Sequence, residues 1–264
     1  MESTTNKQSI KGTRALITGA SSGLGYAMAK ALAHAGASVL LTARTADAVE
    51  KAAVQLQKSG CDAYGMILDV RSEESIEQVV AWVNKKWGHL DVLVNNAGIG
   101  MRTVNPSFLT DPKPFYTVSA DKFRDLIDTN LTGYFLAAKA FAPMFIQAGK
   151  GKIVNISMNH ETMKRKGFIP YGPSRAGAES LSYIMAEDLK EHKITVNMLL
   201  PGGATETGMI PEELKESFRE KGFLLNPDVM ADAIVYLASE ESDGVTGERI
   251  VAKDFIQRQL NSKL

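Results

Sequence analysis

Three clusters in the chain have the residue types and spacing to do chemistry. The first is Thr18-Gly19-Ala20-Ser21-Ser22-Gly23-Leu24-Gly25, where glycines join an apolar run to an Ala-rich segment. A turn of this kind at the start of a helix lets backbone N–H groups approach a pyrophosphate, and the helix dipole favours the charge placed there. Gly19, Ser21, Ser22, Gly23 and Leu24 are the candidate contacts. The second cluster is Thr42-Ala43-Arg44-Thr45, after the next apolar run. A dinucleotide site that prefers NAD sets a carboxylate there for the ribose 2′-hydroxyl. This chain has instead a guanidinium, which can fork onto a 2′-phosphate. NADP(H) is therefore expected over NAD(H), the bland alternative being that Arg44 is a solvated residue opening a helix. The third cluster pairs Tyr171 with Arg175, one helical turn on and on the same face. A phenol titrates near pKa ~10, so its phenolate needs a cation beside it. Arg175 supplies that charge but does not release its proton.

The elements that must carry these clusters are readable as a rhythm. Apolar runs at 14–18, 38–42, 63–68, 91–94, 152–156 and 194–199 alternate with helical stretches at 24–34, 46–58, 72–87 and 171–191. Such alternation predicts a parallel sheet covered on both faces, and right-handed crossovers make it a doubly wound α/β Rossmann fold of about seven strands. One domain over residues 11–264 is expected behind a disordered lead-in at 1–10. Asp69 ends the third run, placed either to accept from an adenine amino group or as a turn residue. Asn96, Ala97 and Gly98 follow the fourth, small enough for a dinucleotide to lie close. Residues 101–120, with three prolines, read as a surface loop near the mouth of the site.

Taken together, TGASSGLG, Asp69-Val70, NNAG, Asp128-Thr129-Asn130-Leu131, Tyr171 and Pro201-Gly202 resemble the short-chain dehydrogenase/reductase family, from about residue 11 to residue 251. The resemblance implies a homo-oligomer, usually a tetramer, a nicotinamide site at the C-terminal ends of the strands, and a catalytic tetrad of Asn, Ser, Tyr and Lys. The Asn maps onto Asn130 and the Tyr onto Tyr171. The Lys position holds Arg175, and the Ser position, thirteen residues before the tyrosine, holds Met158. A thioether donates no hydrogen bond to a substrate oxygen, and losing one positioned donor costs roughly 10²–10³ in rate. Ser157, Asn159 and His160 are the candidates to replace it, each also readable as an ordinary loop residue, and Met158 equally suits an apolar substrate pocket. Thr205 and Thr207 stand where a nicotinamide carboxamide would be bonded, or cap the following helix. Residues 208–222, glycine at both ends, read as a substrate lid.

The expected activity is NADP(H)-dependent interconversion of a small-molecule carbonyl and alcohol, with Tyr171 as acid/base and Asn130 supporting a water relay. Met158 and Arg175 keep open a nucleotide-binding protein with little reductase activity, or other proton-transfer chemistry such as isomerisation. Composition narrows the field further. The 264 residues carry 30 basic and 30 acidic side chains, whereas a nucleic-acid partner calls for net basic surface. Cys61 is the only cysteine and the four histidines are not paired at ligand spacing, so no metal is expected. No run of about 18 apolar residues suggests a membrane span. The polar start lacks a secretory pattern, and a cytoplasmic protein is expected.

Overall fold

The computed structural model describes residues 10–257. Each apolar run becomes a strand, and a short seventh follows: β1 (Arg14–Ile17), β2 (Ser38–Ala43), β3 (Ala63–Ile67), β4 (Val92–Asn95), β5 (Gly151–Ile156), β6 (Ile194–Leu200) and β7 (Arg249–Val251). The helices are α1 (Gly23–His34), α2 (Ala46–Lys58), α3 (Glu73–Trp87), α4 (Ala120–Ile127), α5 (Gly133–Ala148), α6 (His160–Met163), α7 (Tyr171–Leu189), α8 (Glu212–Glu220) and α9 (Ala231–Ala238). The strands hydrogen-bond in the order β3-β2-β1-β4-β5-β6-β7, every pair parallel. This is the doubly wound Rossmann arrangement the alternation predicts.

Successive side chains on a strand point to opposite faces. Ala15, Ile17, Val39 and Leu41 enter a core closed by α1, α2 and α9, while Leu16, Leu40 and Leu93 enter another closed by α3, α5 and α7. Both faces being covered, the central strands read as apolar runs; all seven residues of β6 are buried. Two buried asparagines on these strands are linked in a chain that ends on α7: Asn95 Nδ2 donates to Asn155 Oδ1 (2.9 Å) and Asn155 Nδ2 to Ser182 Oγ (2.8 Å). Local sequence sets the helix ends. The Ser72 hydroxyl caps α3 by accepting from the Ser75 N–H, Glu73 and Glu74 sit at its positive pole, and Gly88 ends it at φ 76°.

Two expectations need correction. Ile10, assigned to the lead-in, is buried in the core and donates its N–H to Ala35 O (3.0 Å); residues 1–9 lie outside those described. The 101–120 segment is more than a surface loop, because Met101 and Phe108 turn inward and are buried. Strand order reverses between β1 and β4, the place where open α/β sheets form their binding crevice. Among the described residues no helix is long and apolar enough to cross a membrane, and no group of His, Cys, Asp and Glu is assembled to hold a metal.

Candidate active site

A cavity of about 1120 Å³ opens at the C-terminal ends of the strands, over that reversal. Its floor begins where β1 ends. The Thr18 hydroxyl accepts the N–H groups of Asn96 (2.9 Å) and Ala97 (3.0 Å), and Asn96 Nδ2 donates to the carbonyls of Thr18 (2.9 Å) and Gly19 (3.0 Å). The glycine turn and the NNAG segment are thereby one unit. Gly19 has φ 64°, and a Cβ on it would stand 2.7 Å from the Ala97 Cα; only glycine fits. Ser22 caps α1 without a side-chain hydrogen bond, so the N–H groups of that helix end remain available beside the cavity.

These features fit a dinucleotide. Ser21, Ser22, Gly23 and Leu24 line the cavity at the phosphate end, with exposed Arg44 at the mouth of β2. Asp69 and Val70 line it too, but the Asp69 carboxylate already receives Arg71 Nε (3.0 Å) and Nη2 (2.7 Å). Those hydrogen bonds hold its pKa below the ordinary carboxylate value, so an adenine amino group would share an engaged acceptor. Pro201, Gly202, Thr205 and Thr207 form the opposite wall, where the Thr207 methyl packs against Gly23. The Thr207 hydroxyl accepts the Met209 N–H (3.3 Å), and Thr205 is tied to Leu225 by a strand bridge that closes the base of the lid.

Tyr171 opens α7 with its ring on the cavity, and its hydroxyl lies 3.7 Å from Met209 Sδ. Below it, Arg175 is only 2% exposed. Its Nη1 donates to the Tyr134 hydroxyl (2.7 Å) and to Ile156 O (2.8 Å), and its guanidinium carbon stands 5.2 Å from the Tyr171 ring centre and 5.6 Å from that of Tyr134. Burial works against the Arg175 charge, but Tyr134 and Tyr171 more than offset it and raise its pKa above the ordinary value. Burial likewise raises the Tyr134 pKa despite Arg175 beside it. Arg175 is thus a fixed cation and Tyr134 a neutral phenol. Asn130 sits in a π-helical turn, 128–132, between α4 and α5. Its amide grips Ile99 on both sides, accepting the N–H (2.8 Å) and donating to the carbonyl (2.9 Å). A Cβ on Gly98 would stand 2.7 Å from Arg175 Nη2; the glycine makes room for the guanidinium.

Ser157, one of the candidates to stand in for a serine at position 158, has its hydroxyl engaged elsewhere. It is buried, and its hydroxyl donates to the Glu179 carboxylate, which also receives Arg249 Nε (2.8 Å) and pairs with His160 Nε2 (3.1 Å). Burial opposes the Glu179 charge, yet hydrogen bonds from Ser157, Arg249 and His160 hold its pKa below the usual value. Arg249 Nη2 further donates to Met158 O (2.6 Å). The hydrogen that Ser157 would offer a substrate is already committed, and one ring nitrogen of the half-exposed His160 is engaged on the same carboxylate. Met158 itself faces the cavity among apolar side chains.

The family model for short chain dehydrogenases matches residues 13–217, well over half of the chain. The chain belongs to the short-chain dehydrogenase family. A gluconate 5-dehydrogenase of Gluconobacter oxydans is 32% identical over 247 residues, spanning 91% of this chain and 93% of that protein. Among solved structures, a gluconate 5-dehydrogenase from Burkholderia cenocepacia, in complex with NADP and tartrate, superposes with a TM-score of 0.81 at 27% identity, covering 95% of this chain and 98% of that one. A 3-ketoacyl-(acyl-carrier-protein) reductase from Brucella melitensis, complexed with NADH, gives 0.81 at 30% identity over 92% and 97%. As a short-chain dehydrogenase, this protein is an NAD(P)-dependent oxidoreductase acting on a small molecule. Around that shared frame the sequence reading missed Tyr134, Glu179 and Arg249. A signal existed for the first: Tyr134 falls on the apolar stripe of α5 with Ala137, Ala138 and Phe141, where a buried hydroxyl calls for a partner.

Proposed function

We propose that the protein is an NADP(H)-dependent oxidoreductase that interconverts a carbonyl and an alcohol, with Tyr171 as the proton donor and acceptor. The observation that carries this reading is the pairing of Tyr171, at the cavity, with the buried and permanently charged Arg175 beneath it. A bound NADPH supplies a hydride to the carbonyl carbon. In the reducing direction the Tyr171 O–H bond breaks and its proton passes to the developing alkoxide oxygen. Arg175 stabilises the resulting phenolate, which then regains a proton from water; the guanidinium keeps its own. Asn130 fixes the backbone of Ile99, and through it the Gly98 segment beside the guanidinium. Arg44 supports the phosphate-bearing form of the cofactor, since it lines the cavity and forms no salt bridge among the described residues, acting on the Asp69 carboxylate only through space.

Exposed Phe135 on α5, with Tyr183 and Ile184 on α7, supports a homo-oligomer, testable by light scattering. A single domain in the cytoplasm completes the reading. The test of function is a panel of ketones, aldehydes and alcohols assayed with NADPH and with NADH. Turnover is expected, with NADPH preferred; no turnover across the panel, or stronger thermal stabilisation by NADH, overturns the corresponding part.

A further inference from the structure

Beyond Tyr171 the cavity has a second wall, made of side chains whose chemistry restricts what fits there. Met101 and Phe108 come from the 101–120 loop, and Phe168 from the segment leading into α7; all are buried together. The two phenyl rings meet edge-on with centres 5.5 Å apart. Met158 packs on this group, as does the Tyr171 ring, and Met209 of the lid reaches over from the far side to touch Gly100 and the Tyr171 hydroxyl. Thioethers and phenyl rings give a deformable apolar surface. With only Thr103, Asn159 and Thr162 among the described residues as uncharged polar side chains beside it, such a wall replaces little of the water around a chain of hydroxyl groups, and each hydroxyl stripped without a partner weakens binding.

Two cations stand at the rim of this wall. Arg102 is exposed and donates one guanidinium N–H to Gly208 O (2.9 Å), where the lid begins. Arg165 is exposed over the Phe168 ring, at 5.3 Å. Both line the cavity. Neither has a carboxylate partner among the described residues, and the nearby loop acid Asp111 is taken by Lys113. A 2′-phosphate does not account for them: Arg44 follows β2, whereas Arg102 follows β4, two strands further along the sheet.

We propose that the substrate side of this site takes an apolar ketone, or its alcohol, that carries a carboxylate at the end remote from the carbonyl. The carbonyl meets Tyr171, the apolar body lies on Met101, Phe108, Phe168 and Met158, and the carboxylate reaches Arg102 and Arg165. This rests on the carbonyl–alcohol reading above and adds to it a class of substrate.

Three compounds test it on the full-length enzyme: benzoylbutyrate, its methyl ester, and a keto-gluconate. With NADPH, the KM for the acid is expected to lie about tenfold below that for the ester, the scale of two partly screened ion pairs, with the keto-gluconate the poorest of the three. The advantage of acid over ester shrinks toward one as salt is raised, and in Arg102→Gln/Arg165→Gln. Because Arg102 also holds the start of the lid, Arg165→Gln alone serves as the second variant and reduces the ratio in part. Calorimetric titration of the enzyme with acid and ester gives the same comparison without turnover. An ester bound as tightly as the acid, a ratio unmoved by the substitutions, or preference for the keto-gluconate overturns the proposal. Calorimetric preference for the acid with no turnover of any compound keeps the substrate class and refutes the reductase reading instead.

Discussion

Around Gly19 and Asn96 the cavity is lined by backbone, held by Thr18 and Asn96 over distances of 2.9–3.0 Å between segments that adjoin in the sheet. Around Tyr171 and Met158 it is lined by side chains, and contacts from remote parts of the chain brace the region: Tyr134 holds Arg175, Glu179 holds Ser157, and Arg249 holds the Met158 carbonyl. The first region serves a ligand of fixed shape, and its requirements are steric. The second, in the proposed function, determines which molecule reacts and how its proton moves, and its residues are Met158 and Arg175 where the resemblance leads one to expect serine and lysine. The half built from backbone admits few residue types, and the half built from side chains leaves room for many.

The comparison is sharpened most by removing the proton donor. Tyr171→Phe is expected to lower kcat by about 10³ while leaving NADPH binding intact, since general acid catalysis contributes ~10²–10⁴; steady-state rates and a fluorescence titration read the two halves separately. Retained activity would break the assignment of proton transfer to the substrate half. Next, Arg44→Ala weakens NADPH binding by roughly 10–100-fold, the loss of a charge-assisted contact, and leaves NADH binding nearly unchanged, as a titration with both cofactors checks. Met158→Ser tests the position at which the resemblance leads one to expect a serine. It restores a donor beside Tyr171 and is expected to raise kcat about tenfold, a part of the ~10²–10³ such a donor is worth; no gain would mean that the surrounding apolar wall, rather than the missing hydroxyl, sets the rate.

Tyr134→Phe leaves an Arg175 N–H in the interior with one partner fewer. A loss of about 1–3 kcal/mol follows, seen as a fall in Tm of several degrees, together with reduced kcat at unchanged NADPH affinity. The smallest effect concerns acid. The folded-state pKa of Glu179 lies below its unfolded value, so the stability it contributes is present at neutral pH and is lost as the pH falls below roughly 4. Glu179→Gln is expected to flatten that acid limb in a Tm-against-pH series, though at lower stability near neutrality.

The same contrast decides what could be read before the structure. The glycine turn is legible because the constraint is local: a positive φ at Gly19 and a contact with Ala97 leave one residue type, in one order, on the page. The sheet is legible because burial on both faces writes β6 as a continuous apolar run. Arg175 was readable as a cation beside Tyr171, since both lie on one helix face. Its tether was not, because Tyr134 is 41 residues away and nothing local pairs them. Ser157 looked like a substitute donor for the same reason: the acceptor that captures its hydroxyl, Glu179, lies 22 residues on, and the arginine that completes the group comes from the last strand. Distant pairing leaves no periodic trace.

That arginine has a mechanical consequence. β7 is three residues long, and Arg249 at its start reaches back 91 residues to hold Met158 O while also engaging Glu179. The segment bearing Met158 is therefore sprung from the far edge of the sheet, and its stiffness is set by how firmly the chain's last strand is seated. Any event that loosens that edge, such as trimming nearby, would slacken the pocket wall without touching the side chains that line it.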